Sequence, residues 1–316
     1  MARHVFRRLL EAVPVVVLAS ILVFSLLHVV PGDPATNLAG SDATDDDVQT
    51  IRHQLGLDRP VVEQYLSWVG DAVRGDLGTS FRTKRPVSEM LRSSLAPTLE
   101  LTVAAFLIEL CIGIPLGVMA GIRLRSAWDW GLSGFSIVGI AIPHFVMGLV
   151  LLYFVSFRLG WLPVGGRVSI FQDPIESLRY LVLPASVLGL TGAAVLARFV
   201  KTSVSQVMNQ DYIRTGRAKG LREWNVVTRH ALRNGLVPVV TVMALQFAAL
   251  LTGSVVAESV FSRPGLGRLI VGAIQSRDYP VVQGTLLGLV ATFIGLNLLA
   301  DLMYGVLDPR IRERGR

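Results

Sequence analysis

The sequence predicts an all-α protein that crosses a membrane several times. Of its 316 residues, 52% are hydrophobic and only 17% are charged, and the mean hydropathy is +0.54. This balance is typical of a polytopic membrane protein and not of a soluble domain. The apolar residues form six runs, each long enough to cross a hydrocarbon core that needs about 20 residues. These runs are residues 9–30, 95–121, 130–157, 181–200, 236–257 and 281–307.

The first run follows a short basic segment that contains Arg3, Arg7 and Arg8. This arrangement resembles a secretory signal peptide, but the run is longer than the apolar part of a signal peptide. It also lacks a small-residue cleavage site before Pro31. We therefore expect residues 1–30 to form a cytoplasmic N-terminal tail and a retained first transmembrane helix.

Residues 31–94 are the only sizeable stretch that we expect to be exposed to water. The acids between Asp42 and Asp47 favour the start of a short helix, because carboxylates stabilise the positive end of a helix dipole. Apolar residues between Leu55 and Val69 provide one modest amphipathic face. The segment is too small for a catalytic domain with its own deep pocket. We expect a helical insertion on the outer side, followed by a core domain over residues 95–316.

The charges of the connecting loops orient the helices. The loops on the N-terminal side carry 16 Lys and Arg residues against five acids, over residues 2–8, 122–129, 201–235 and 308–316. The two short loops on the other side carry six against four, over residues 158–180 and 258–280. Because basic loops stay in the cytoplasm, both termini and the 201–235 loop are predicted to be cytoplasmic. The net charge of +7 is explained by topology and anionic lipid, without nucleic acid.

Enzyme motifs are absent from the sequence. It contains neither the zinc-protease pattern H-E-x-x-H nor a Walker-type phosphate-binding loop nor the G-x-S-x-G nucleophile pattern. Cys111 is the single cysteine, and the five histidines show no metal-ligand spacing. The sequence therefore predicts no catalytic residue, no metal site and no cofactor bound by this chain. If ATP drives its activity, another subunit must hydrolyse the ATP.

One pattern inside the apolar runs concerns helix packing. Gly113, Gly117 and Gly121 are spaced four residues apart, which lets two membrane helices approach closely.

Ionisable residues also occur inside the apolar runs. Glu100 and Glu109 lie in the second run, and such residues are often functional within a membrane. For both glutamates, we expect a structural pair with another side chain in preference to contact with a substrate. For Glu109, which is deeper, a water-filled path or a contact between subunits is the alternative.

A basic, glycine-punctuated segment separates the fourth and fifth runs, between Asp211 and Pro238. Gly220 suits the position just after a helix C-terminus, and a second short helix can begin near Arg222. The pattern predicts a helix–glycine–helix hairpin that lies against the membrane and is offered to a soluble partner. On charge alone, a solvated basic loop that only follows membrane topology is the simpler interpretation.

Several short motifs, in one order along nearly the whole chain, carry a family resemblance. They are Pro31-Gly-Asp-Pro34, Leu55-Gly-Leu-Asp58, Gly75-Asp-Leu-Gly78, Gly113-Ile-Pro-Leu-Gly117, Arg214-Thr-Gly-Arg-Ala-Lys-Gly220, His230-Ala-Leu-Arg-Asn234, Glu258-Ser-Val-Phe-Ser262, Pro264-Gly-Leu-Gly267, Arg277-Asp-Tyr-Pro280 and Asp308-Pro-Arg310. With these motifs, the sequence resembles the permease subunits of bacterial ATP-binding-cassette (ABC) importers in the dipeptide/oligopeptide/nickel branch, and within it the first of two paired permeases (the dipeptide permease B type).

The resemblance implies the type I ABC importer permease fold with six transmembrane helices. It also implies a multi-pass location in the bacterial inner membrane, a homologous second permease, one or two ATPase subunits that bind ATP and Mg, and an extracytoplasmic substrate-binding protein. Importer permeases dock on the ATPase through a cytoplasmic loop of pattern E-A-A-x3-G. Here Arg214 stands where the pattern has its acid. The implied coupling residues are Tyr212, Arg214, Thr215, Gly216, Arg217, Ala218, Lys219, Gly220 and Leu221.

A second set of residues is implied on the outer side. We expect an outer gate or a contact with the binding protein at Glu258, Phe261, Arg263, Pro264, Gly265 and Gly267. The implied function is import of dipeptides or oligopeptides. The same machinery could import nickel or another small solute, and a secondary transporter is a further alternative, although no convincing internal repeat supports it.

Overall fold

The computed structural model describes residues 2–29, 33–39, 43–54 and 56–307. These residues are mostly helical, and the only strand-like pairing among them is an isolated antiparallel bridge between Thr79 and Pro86. Pro31, Gly32, Leu55 and the predicted cytoplasmic tail from Asp308 onward lie outside the described residues. Helices α1 to α14 are Ala2–Val29, Pro34–Ala39, Asp45–Gln54, Val61–Val73, Val87–Ile122, Ala127–Ala141, His144–Leu151, Pro174–Met208, Asp211–Ala218, Glu223–Asn225, Leu232–Gly235, Val237–Val260, Leu266–Gln275 and Tyr279–Leu307.

Within the described residues, four helices are long and apolar enough to cross a membrane, namely α5, α8, α12 and α14. The bent pair α6 and α7 provides a fifth crossing if it is counted as one span. In α1, the apolar part Leu10–Leu26 is shorter than these helices. Where the structure describes them, the six predicted apolar runs are thus helical, but the third is not the one continuous helix that the sequence predicts.

The third run breaks at Pro143, where α6 and α7 meet at an angle of 101°. Ile142 is extended, with φ −84° and ψ 120°, because the proline ring disfavours helical backbone at the preceding residue. A π-helical turn, Leu152–Arg158, then continues α7. The run is apolar throughout, so its composition does not reveal the break. The break is caused by Pro143.

The chain separates into two compact units. The first contains Met1–Ala96 and Gly265–Leu298, and the second contains Pro97–Pro264 and Leu299–Arg316. In the first unit, Val87, Ala273 and Val281 form a buried cluster. The helices of the predicted outer insertion therefore belong to the same unit as α13 and most of α14.

Helix α8 is the centre of the second unit. It packs on α6, α7, α11 and α12, and 67% of its apolar span is buried. Its N-terminus is fixed by Asp173, whose Oδ1 accepts the N–H groups of Ile175 and Glu176, each at 3.0 Å. Such a cap satisfies backbone donors that the first helical turn leaves unpaired.

The glycine ridge of α5 lies directly against α8, as the spacing predicts. A Cβ added at Gly117 would lie 2.6 Å from both the Ala197 carbonyl oxygen and Val200 Cβ. At Gly121 it would lie 2.9 Å from the Lys201 carbonyl oxygen. Because backbone cannot retreat as a flexible side chain can, glycine is the residue that this approach permits.

We expect Gly117→Ala to lower the free energy of unfolding by about 1–3 kcal/mol, because the added methyl group overpacks the α5–α8 contact. Unfolding of the purified protein by denaturing detergent, followed by circular dichroism, measures the change. Gly134→Ala is the matched control, because no atom lies within 4 Å of a Cβ at that position of α6. Equal losses in the two variants would contradict the close-approach explanation.

Candidate functional site

The basic hairpin, defined here as residues 211–235, contains two helical stretches joined at Gly220. The Gly220 N–H donates to the Arg217 carbonyl at 2.9 Å, and the Leu221 N–H donates to the Gly216 carbonyl at 3.3 Å. With φ +78° at Gly220, these two bonds form a Schellman motif at the end of α9. The helix–glycine–helix conformation expected from the sequence is therefore present.

The inner face of the hairpin is anchored on α8. Ile213, which is 1% exposed, and Val226 lie in one buried cluster with Val204 of α8. The Ser203 hydroxyl of α8 also donates to the Gly235 carbonyl at 2.5 Å. The hairpin is thus attached to the central helix of its unit by apolar packing and by a hydrogen bond.

Polar contacts join the two halves of the hairpin on its outer face. The Arg217 guanidinium donates to both carboxylate oxygens of Glu223, at 3.1 Å from Nε and 2.6 Å from Nη2. This hydrogen bonding lowers the pKa of the Glu223 carboxyl and raises the pKa of Arg217. The Asn234 amide donates to the Tyr212 hydroxyl at 3.1 Å. These contacts join α9 to the second half of the hairpin.

The structure places the predicted coupling residues together on this exposed face, with Gly216 half-buried and the others exposed. Sequence reasoning did not single out Trp224, which is 76% exposed. The sequence signal that could have identified it is the position of a tryptophan inside a charged segment. Large aromatic residues are enriched among the anchors of protein interfaces, so Trp224 belongs to this candidate site.

Four residues of the second predicted set, Glu258, Phe261, Arg263 and Pro264, lie in the second unit beside a buried ionic cluster, and Gly265 and Gly267 belong to the first unit. The Arg263 side chain is 1% exposed and its Nη2 donates to Glu100 Oε2 at 2.9 Å. Arg167 also binds Glu100, at 2.6 Å and 3.0 Å. Glu258 is fully buried, and its Oε1 accepts the Thr98 hydroxyl at 2.6 Å. Glu100 therefore makes structural ion pairs, as expected from the sequence.

The electrostatics of this cluster follow from burial. Burial lowers the pKa of the Arg263 guanidinium, although the nearby carboxylates of Glu100 and Glu258 oppose this effect. Hydrogen bonding to Glu100 raises the pKa of the more accessible Arg167. Phe261 is also buried, and its carbonyl accepts the Gly166 N–H at 3.0 Å. The cluster thus ties the 158–173 loop to the C-terminal end of α12.

Burial distinguishes the six residues predicted as an outer gate or as a contact for a binding protein. Glu258, Phe261, Arg263, Gly265 and Gly267 are buried in this chain, and Pro264 is exposed. A direct contact with a partner requires exposed atoms. In this conformation, Pro264 is the one residue of the six that is exposed to such a partner.

Glu109 of α5 is fully buried in the second unit. Its carboxylate lies so close to Gly192 of α8 that a side chain at Gly192 would collide with it. Gln246 of α12 lies beside Glu109 and donates to the Gly192 carbonyl at 3.5 Å. The three helices α5, α8 and α12 therefore meet at one polar point inside an apolar bundle.

Comparison with known proteins decides the family. Residues 113–313 match the model of the binding-protein-dependent transport system inner membrane component, and residues 1–102 match the model of the N-terminal part of such components. The chain belongs to this family of transport permeases. It is the membrane-spanning permease subunit of an ABC importer, and the permease itself is not a catalytic subunit.

The relatives support this assignment over the full length. A putative peptide transport system permease protein of Brucella abortus (strain 2308) is 42% identical over 313 residues, which cover 99% of each chain. The glutathione transport system permease protein GsiC of Escherichia coli (strain K12) is 41% identical over 315 residues, which cover 99% of this chain and 100% of the relative.

Solved structures share the fold. The inward-facing MetNI methionine ABC transporter matches with a TM-score of 0.57 at 18% identity, over 69% of this chain and 96% of the other. An amino acid ABC transporter solved with histidines matches with a TM-score of 0.53 at 17% identity, over 71% and 94%. The permease therefore has the fold of importer membrane subunits, as the resemblance implied.

We expect Glu100→Gln to lower the free energy of unfolding by about 3 kcal/mol, because it removes the carboxylate charge to which the buried Arg263 donates its hydrogen bond. Thermal and detergent unfolding of the purified permease measure the loss. Glu176→Gln is the control, since its pair with Arg179 at 2.9 Å is exposed and such pairs contribute at most about 1 kcal/mol. Similar small losses in both variants would show that the buried cluster does not stabilise the fold.

Proposed function

We propose that this permease imports dipeptides or oligopeptides as part of a larger complex. The full-length relatives named for peptide and glutathione transport support this substrate class. In the complex, a second, homologous permease shares the translocation path, one or two ATPase subunits bind ATP and Mg, and an extracytoplasmic binding protein delivers the substrate. The family description, binding-protein-dependent transport, supports the last of these partners.

The permease lies in the bacterial inner membrane in this proposal, with both termini and the basic hairpin in the cytoplasm. The excess of Lys and Arg in the loops on that side supports this orientation. Residues 31–94 then form the extracytoplasmic insertion before the core domain. Transport proceeds by alternating access, in which closure of the ATPases moves helices of the permeases against each other.

The architecture of the basic hairpin is the observation that carries the coupling role. Its inner face is fixed to α8 through Ile213, while its outer face exposes Tyr212, Trp224 and several arginines. A displacement of the hairpin by an ATPase would therefore reach the central helix of the unit directly. A loop that served only membrane topology would need neither the buried anchor nor the exposed aromatic residues.

The buried ionic cluster supports a proposed outer gate on the extracytoplasmic side. Arg263 and Glu258 hold the loop after α12, and Arg167 joins the 158–173 loop to the same carboxylate of Glu100. Two loops held by one buried ion network would move together. We place the outer gate at the loop that follows α12. In this proposal, its exposed residue Pro264 contacts the delivering partner.

Affinity purification of the tagged permease from its native membrane in mild detergent, followed by mass spectrometry, tests the complex. We expect a second permease, one or two ATPases and a binding protein. Peptide uptake by the purified complex in liposomes that contain ATP then tests the substrate class. If the permease is recovered alone and transports without ATP, it is a secondary transporter and the proposal fails.

We expect Gly220→Val to uncouple transport from ATP hydrolysis, with uptake reduced at least tenfold while membrane insertion is retained. A β-branched residue disfavours the positive φ of the Schellman motif, so the exposed face of the hairpin would be displaced. No neighbouring atom lies within 4 Å of a Cβ at Gly220, so steric crowding does not contribute. Uptake and ATPase activity are measured in the same liposomes, and normal uptake would remove Gly220 from the coupling site.

We expect Trp224→Ala to weaken association with the ATPase subunits by at least about tenfold, the usual effect of removing an aromatic anchor. The permease itself should remain folded, because the side chain is 76% exposed. Phe171→Ala is the control, an aromatic residue that is 94% exposed in the 158–180 loop. Equal retention of the ATPases by both variants would exclude Trp224 from the interface.

A further inference from the structure

Helix α4, in the insertion between the first apolar run and the core domain, packs on α1 through one of its apolar faces. This first face carries Tyr65 and Trp68. The ring centroid of Phe24 of α1 lies 5.4 Å from that of Tyr65 and 5.8 Å from that of Trp68. The Tyr65 hydroxyl also shares a hydrogen bond of 2.9 Å with the Ser20 hydroxyl of α1. These contacts attach α4 to the first apolar run within the first unit.

A second apolar face of α4 is directed away from these contacts. It consists of Val62, Leu66, Val69 and Val73, whose spacing of four, three and four residues places them on one side of a helix. Val62 is 68% exposed, Leu66 is 62% exposed and Val73 is 83% exposed. A continuous exposed apolar strip of this kind marks a surface that binds protein or membrane.

The remaining side of α4 is polar. Glu63, Ser67 and Asp71 are exposed and lie opposite the two apolar faces. A helix with this division lies in the interface of a bilayer, with its apolar side among the acyl chains and its polar side in water. The 13 residues of α4 extend about 20 Å at 1.5 Å per residue. This is too short to cross a hydrocarbon core of about 30 Å, so α4 can lie along a membrane but cannot span it.

The contact with α1 places α4 at the level of the bilayer. Ser20 lies six residues before Leu26, the last residue of the apolar part of α1, which corresponds to about 9 Å along the helix axis. On either side of Ser20 along the chain, α1 exposes Leu18 and Leu22, at 62% and 68%, as expected for a helix surrounded by hydrocarbon. Because Tyr65 binds Ser20, α4 lies beside this part of α1 and not above it. A soluble partner would not reach an apolar strip at this depth.

Exposed arginines flank the helix. Arg59 lies two residues before α4, and Arg74 follows its last residue directly. The Arg74 side chain is 80% exposed, and its contact with Asp71 at 3.5 Å lies on the surface. Long basic side chains at the ends of an apolar segment extend to the headgroups, and a guanidinium matches the geometry of a phosphate group. Both ends of α4 therefore suit the phosphate layer next to the acyl chains, which favours lipid over a second protein as the occupant of the strip.

We propose that α4 is an interfacial membrane helix whose second apolar face inserts into the acyl chains of the leaflet near the C-terminal end of α1. In the orientation proposed above, this is the extracytoplasmic leaflet. The insertion then binds lipid through α4 in addition to its contact with α1. The strip is therefore not a docking surface for a delivering protein or for a second permease.

Site-directed spin labelling of the permease, purified with every subunit that accompanies it and placed in lipid nanodiscs, tests the proposal. In a Cys111→Ser background, Leu66→Cys and Val73→Cys place labels on the second apolar face, and Glu63→Cys and Ser67→Cys place labels on the polar side. Oxygen partitions into acyl chains, whereas a water-soluble nickel chelate does not. We expect the ratio of oxygen to nickel collision rates to be at least about tenfold higher for the two apolar positions than for the two polar positions.

The two polar positions are matched controls, because they are exposed residues of the same helix. All four replaced side chains are exposed, so we expect circular dichroism to show unchanged helix content in the labelled variants. Frequent nickel collisions at all four positions would show that α4 lies in water and would refute the proposal. Rare collisions with both reagents at Leu66 and Val73 would show that a protein subunit covers the strip, which also refutes it.

Discussion

The backbone contact between α5 and α8 is the constraint on which the second unit depends. In a bilayer, lipid chains are as apolar as the side chains, so helices associate through close packing and not through exclusion of water. The contact is reciprocal, since a Cβ at Gly117 would lie 2.6 Å from the Ala197 carbonyl oxygen and one at Gly189 would lie 2.6 Å from the Ala105 carbonyl oxygen. Both helices must therefore carry glycine at the crossing.

The α5–α8 pair also connects the buried ionic cluster with the basic hairpin, the two regions to which we assign functions. Thr98 and Glu100 of α5 lie near the residue at which α5 enters the second unit, and both bind residues of the buried ionic cluster. Toward its C-terminal end, α8 presents Val204 to the apolar anchor of the basic hairpin. In the proposed mechanism, this close packing would let a displacement of the hairpin reach the cluster through the two helices.

The sequence predicted the helices well because each apolar run must satisfy its backbone within a membrane, and a helix does this locally. The close approach at Gly117 and the left-handed residue at Gly220 were also predictable, because both depend on glycine at a defined spacing. The break at Pro143 was missed, since the run was judged by composition. Trp224 was missed because the case for its proposed role rests on its exposure, which the sequence does not give.

The amino-acid sequence by itself determined the all-α membrane class, the apolar runs, the glycine ridge of α5 and the basic hairpin, because these follow from local composition and spacing. Only the tertiary structure decided that Glu100 faces the buried Arg263 and that Glu258 accepts the Thr98 hydroxyl. These groups are far apart along the chain. Their contacts depend on how the helices pack, and packing is a property of the whole fold and not of any one segment.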